Sequence, residues 1–142
     1  MNGMDDGIRR RALVAGALGL AAVVSAVLLY HYGPGMCAWW PGCTFYRVTG
    51  WYCPGCGMTR AMHALLHGRV AAAFGHNPLL MAVLPVVAAG AGLDVLGWIR
   101  GPERPTPRLR PSPRVVIGFV VVVMAYWVLR NLPWWPFTWL AP

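Results

Sequence analysis

Residues Ala12 to Tyr32 form a run of 21 residues with no Asp, Glu, Lys or Arg. Wound as an α-helix at 1.5 Å per residue, such a run is about 31 Å long, the thickness of a bilayer's hydrocarbon core. Two further apolar runs follow, Leu79 to Ile99 and Val115 to about Leu132; the first contains Asp94 and the second has Arg130 near its far end. Only 11% of the chain is charged, against roughly 25% in an ordinary soluble domain. So few charges cannot coat a water-soluble globule, and so many apolar residues do not belong to a disordered chain. The expected fold class is therefore an all-α membrane protein. It would be a single membrane domain with about three transmembrane helices, at 12–32, 79–99 and 115–132, plus short interfacial or re-entrant helices. A cleaved signal peptide competes for the first run, but its apolar region would be shorter, and Tyr30, His31 and Tyr32 suit a membrane interface.

The formal net charge is +8, carried by twelve arginines and no lysine. Placement argues against nucleic acid as the partner. Arg9, Arg10 and Arg11 precede the first run, and Arg100, Arg104, Arg108, Arg110 and Arg114 fill the Pro-rich loop 100–114. Eight arginines thus flank one side of the spans, against Arg47, Arg60, Arg69 and Arg130 on the other. By the positive-inside rule this predicts a cell (inner) membrane protein with a cytoplasmic N-terminus and a cytoplasmic Arg/Pro loop. The segment 33–76 and the C-terminus would then be external. Trp134, Trp135, Phe137 and Trp139, interrupted by Pro133 and Pro136, read as an aromatic belt at the interface.

The external segment concentrates the reactive side chains. It holds all four cysteines, Cys37, Cys43, Cys53 and Cys56, and three of the four histidines. A short helix is predicted over Thr59 to His67, with Thr59 as its cap and Gly68 as its stop, and another over Arg69 to Phe74. Asn77 and Pro78 open the second long helix as cap and first residue. Arg60 falls in the first turn of its helix, where a cation opposes the helix dipole. A lipid phosphate, or the carbonyls of the Cys53–Gly57 turn, would account for it. Asp94 lies close enough to the end of its span to pair with Arg100.

Three kinds of chemistry fit the cysteines. Structural disulfides suit an oxidising compartment, although four cysteines permit three connectivities. A metal knuckle, with zinc as the cofactor, would use Cys53-x-x-Cys56-Gly57 and draw further ligands from Cys37, Cys43, His63, His67 or His76. Thiol redox chemistry is the third reading, because a helix start after Cys56 favours the thiolate. Phosphate-binding glycine loops are absent and the one carboxylate pair is Asp5-Asp6 in the expected cytoplasmic tail, which argues against an enzyme.

The string from Cys43 through Thr49-Gly50 to Cys53-Pro54-Gly55-Cys56-Gly57-Met58-Thr59-Arg60, followed by Leu65-Leu66-His67-Gly68 and Asn77-Pro78-Leu79, resembles a bacterial family of small membrane proteins. This is the family catalogued as domain of unknown function 2752. The closing Arg130-Asn131-Leu132-Pro133 resembles the ends of some actinobacterial members. The resemblance implies a multi-pass membrane protein whose motif cysteines are Cys43, Cys53 and Cys56, with Cys37 outside the motif. The expected role is that of a non-enzymatic membrane partner or assembly protein with a disulfide- or metal-stabilised loop. Its partners would be the bilayer and a second membrane protein or a further copy of the chain. A thiol-redox or metal-dependent activity at Cys53 and Cys56 is the alternative.

Overall fold

The computed structural model describes residues 2–34, 42–101 and 111–141. Every regular element among them is helical: α1 (Asn2–His31), α2 (Thr44–Thr49), α3 (Met58–Leu66), α4 (Val70–His76), α5 (Pro78–Arg100), α6 (Pro113–Leu129) and a 3₁₀ turn (Phe137–Leu140). Two of these are long and apolar enough to cross a membrane, Gly7–His31 of α1 and all of α5. Pro85 sits inside α5.

The third expected span is shorter than the sequence suggested. α6 starts at Pro113, a favoured first residue, and ends at Leu129 after 17 residues. It stops there because the next side chains are used elsewhere: Arg130 and Asn131 both turn back to bond the loop backbone at 52–56. Pro133, with no backbone N–H, prevents the helix from resuming. α6 is an apolar helix below the length of the other two.

By its contacts the chain divides into two units, Met1–Val27 with Pro85–Arg110, and Leu28–Leu84 with Pro111–Pro142. In the first, Gly7, Arg10, Arg11, Val14 and Trp98 line a shallow depression. Asp94 is exposed there.

The second unit contains the cysteines and has a small core. Ala61 and Ala64 of α3 meet Ala73 of α4, with Leu65, Leu80 and Met81 packed around them. Alanine at these positions lets the two short helices approach closely. Their joint is Gly68, at φ +72°, in the left-handed region that a side chain would strain. The boundaries shift slightly from expectation. α3 begins at Met58, and its N-cap is Gly57 at φ 82° rather than Thr59. α4 runs from Val70 to His76 rather than from Arg69 to Phe74. Asn77 ends α4 and opens α5, and its Oδ1 accepts the Leu80 N–H at 2.9 Å, the N-cap bond expected of it.

Candidate thiolate metal centre

The cysteine site is built on a tight turn. The Cys56 N–H bonds the Cys53 carbonyl at 3.0 Å, and the Met58 N–H bonds the Gly55 carbonyl at 3.0 Å. Pro54 fixes one φ of the turn. Gly57 then takes a positive φ, so the chain leaves directly into α3. The turn brings the Cys53 and Cys56 sulfurs to 3.3 Å. Cys43, at the start of α2, adds a third sulfur 3.5 Å from that of Cys53. All three lie within 4.8 Å of one another, and all three thiols are free.

These distances are those of free thiols and not of a formed disulfide. A tetrahedral ion about 2.3 Å from each thiolate would hold the sulfurs about 3.8 Å apart, whereas a disulfide needs about 2.05 Å. The observed 3.3 and 3.5 Å lie close to the metal value. The three donors therefore suit a thiophilic ion such as Zn²⁺.

Two side chains hold the turn from behind, and each is only 1% exposed. Asn77 Nδ2 donates to the Pro54 and Cys56 carbonyls at 3.0 and 3.2 Å. Arg130 Nη1 donates to the carbonyls of Cys53 and Pro54, both at 3.1 Å, and Nη2 donates to that of Cys56 at 3.1 Å. Its guanidinium lies over the Tyr126 ring, 4.9 Å from the centroid. Arg130 Nε has no acceptor among the described residues. Asn131 continues the clasp. It accepts the Tyr52 N–H at 2.8 Å and donates to the Tyr52 carbonyl at 2.9 Å, in the manner of a paired strand. Phe45 packs edge-on to Trp127, and Tyr46 stacks on Tyr52.

The electrostatics of the three thiols are unequal. A backbone hydrogen bond at Tyr46, and then the Cys56 thiol, lower Cys43 to about 7. Burial raises Cys56 to about 12, with its two cysteine neighbours adding to the shift. The phenol of Tyr52 is raised by its hydrogen bond with Tyr46 and by burial.

The remaining expected ligands lie elsewhere. His63 and His67 do share a face, with ring centroids 4.3 Å apart, but they stand outside the sulfur cluster. His67 stacks flat on Tyr30 at 4.1 Å, and its Nδ1 lies 2.9 Å from the His63 carbonyl. The His63 imidazole is held below its usual range, first by burial and then by His67 and Arg69. Cys37 lies outside the described residues. The carbonyls that Arg60 was expected to reach belong to Arg130; Arg60 is exposed on α3 and lines a separate cavity. Sequence reasoning assigned Arg130 only to topology and left Asn131 without a role. One signal was available: an Arg-Asn pair closing an apolar run, in a chain with too few acids to neutralise it.

Comparison with known proteins adds one finding. Residues 43–91 match the family model described as Protein of unknown function (DUF2752). This agrees with the family resemblance drawn from the sequence. The DUF2752 match takes in the three clustered cysteines, Gly57, Thr59, Asn77 and Pro78 and ends within α5, so Arg130 and Asn131 close the site from outside it. No curated protein and no solved structure matches the chain.

Proposed function

We propose that this is a multi-pass membrane protein whose Cys43, Cys53 and Cys56 bind a zinc-class ion, and that it acts as a non-catalytic partner or assembly protein. The ion fastens the start of α2 to the turn before α3, where Arg130 from the end of α6 balances its charge, and so fixes an outer surface for another membrane protein or a second copy of the chain.

One observation carries the metal reading. The Arg130 guanidinium is buried in a unit that contains no carboxylate side chain: the chain's four acids are Asp5, Asp6, Asp94 and Glu103, and none falls in 28–84 or 111–142. A buried cation costs several kcal/mol unless something compensates it. Carbonyl dipoles supply part of the compensation. The nearby groups able to supply a full negative charge are the thiols. Three thiolates on a divalent cation carry a net charge of −1, which balances one arginine.

The membrane reading is supported by the lipid-length runs of α1 and α5, whose apolar windows have no buried residues. In water such exposed apolar surface would drive aggregation. Arginine placement favours a cytoplasmic N-terminus and an external cysteine loop. The approach of the Cys53 and Cys56 sulfurs to 3.3 Å supports the second reading, a redox couple at that pair.

One experiment separates the two readings. The full chain is purified in detergent under reducing, chelator-free conditions, and its zinc and accessible thiols are quantified together. About one zinc per chain, lost in Cys53→Ser, supports the metal centre. A metal-free protein that cycles between a Cys53–Cys56 disulfide and the dithiol supports the redox couple. A metal-free protein with unreactive thiols refutes both.

A further inference from the structure

A second site lies in the same unit, away from the cysteines. An open cavity of about 260 Å³, as shallow as the depression in the first unit, is lined by Gly33, Pro34, Arg60, His63, Ala64, Arg69, Ala72 and His76. It is smaller than the roughly 300–1,000 Å³ clefts that take drug-sized ligands. Small residues keep it open: Gly33 at one side, with Ala64 and Ala72 facing in from α3 and α4. At Gly33 a Cβ would stand 2.8 Å from His63 Nε2, so a side chain there would displace the imidazole.

The polar lining is of one sign. Every ionisable group on the cavity wall is an arginine or a histidine, and residues 28–84 contain no Asp or Glu. Arg60 and His63 are three apart on α3, a spacing that puts both on one face. Arg69 enters from the joint between the helices, and His76 from the last turn of α4. Among the described residues, neither the Arg60 nor the Arg69 guanidinium has a hydrogen-bond or ion-pair partner. Two arginines from different parts of the chain line one small cavity, and several guanidinium donors can share the three or four oxygens of a phosphate group, where a carboxylate offers two. The His76 imidazole adds a further polar group to the lining.

We propose that this cavity binds a phosphate group, with Arg60 and Arg69 as the charged donors and His76 as a supporting one. The group would be either the phosphodiester of an anionic lipid or free phosphate. The site also accounts for a cation in the first turn of α3: an anion between Arg60 and Arg69 offsets the unfavourable dipole. The proposal does not depend on a metal at the cysteines.

Two arms distinguish the sources. The full chain is placed in phosphatidylcholine nanodiscs and titrated calorimetrically with inorganic phosphate. In parallel, its melting midpoint is compared between phosphatidylcholine nanodiscs and nanodiscs doped with phosphatidylglycerol. Three variants accompany the wild type: the double substitution R60Q/R69Q, the charge-retaining R60K/R69K, and R47Q as a control on α2 outside the cavity. Each is first shown to be monodisperse with wild-type circular dichroism. Because both arginines are solvent-facing, the expected loss for R60Q/R69Q is about tenfold in affinity, or the whole lipid-dependent rise in midpoint. R60K/R69K should recover part of it, and R47Q should behave as wild type. A response in the calorimetric arm alone identifies free phosphate, and a response in the lipid arm alone identifies the headgroup. No response in either arm, or an equal loss in R47Q, overturns the proposal.

Discussion

Replacing Arg130 by methionine separates a structural arginine from one that balances charge. Methionine keeps most of the apolar stem and removes the guanidinium. The three carbonyls released by the substitution are not left bare. Asn77 Nδ2 still bonds those of Pro54 and Cys56, and the Cys56 N–H still bonds that of Cys53. The metal-free protein therefore loses three charge-assisted bonds and also sheds the desolvation cost of a buried cation. Such exchanges are often close to neutral. The metal-bound protein behaves differently, because it loses a unit charge set behind a cluster of net charge −1. At a separation of roughly 6 Å and an effective dielectric near 20, that interaction is worth about 3 kcal/mol. Each 1.36 kcal/mol is a factor of ten, so zinc affinity should fall by about 100-fold, the upper end for a group that supports metal ligands. The assay is competition for Zn²⁺ against a chromophoric chelator, with purified protein in detergent, alongside a melting curve of the metal-free form. R130K keeps the charge but not the planar fork, so it should fall between methionine and wild type. The reasoning fails if R130M binds zinc within about threefold of wild type while Cys53→Ser abolishes binding. It also fails if the metal-free melting point collapses in R130M, which would make Arg130 a purely structural clasp.

Asn77→Ala removes two donors to the turn and the cap acceptor of α5, and should cost about 2–3 kcal/mol in thermal or denaturant stability. Asn77→Asp, which keeps the cap but sets a carboxylate against two carbonyls, should be no better at neutral pH. Gly57→Ala forces a side chain into the left-handed region at φ 82°, a strain of about 1–2 kcal/mol that should appear as weaker zinc retention. In reduced, metal-free protein, Cys43 should be alkylated first. Its thiolate fraction rises through one half near pH 7, whereas Cys56, raised to about 12, stays protonated and slow throughout the neutral range. Peptide mapping after a pH series of brief alkylations tests that order, and equal rates at pH 7.5 would contradict it. Reporter fusions at Gly101 and Pro142 test the topology, with a cytoplasmic C-terminus as the refuting result.

Much of the helical layout was legible along the chain, because helix length and apolar content are local properties. The run at 79–99 became α5 to within one residue at each end, and the run at 12–32 became the later part of α1, which starts ten residues earlier at Asn2 and ends at His31. Asn77-Pro78 signalled its own cap through side-chain chemistry that acts within three residues. Gly68 signalled the break between α3 and α4. At the cysteines, sequence supplied the turn and its two thiols, since Cys-Pro-Gly-Cys-Gly is itself a compact backbone motif. It also placed Cys43 near them in the chain, without showing that its sulfur joins theirs.

The tertiary structure decided which cation the turn receives. Along the chain Arg60 was the closer choice, four residues after Cys56. The arginine that bonds the carbonyls is instead Arg130, 77 residues beyond Cys53, and Asn131 beside it pairs with Tyr52. No periodicity or spacing encodes such a meeting, because it depends on where α6 ends relative to the loop. The same packing removed His63 and His67 from the metal set and turned His63 toward a cavity with Arg60 and Arg69. Sequence alone determined the long apolar helices, the cap at Asn77, and the scarcity of acids. Packing determined which of the few charged and reactive groups meet, since in a chain this poor in carboxylates each buried cation must find its compensation through space.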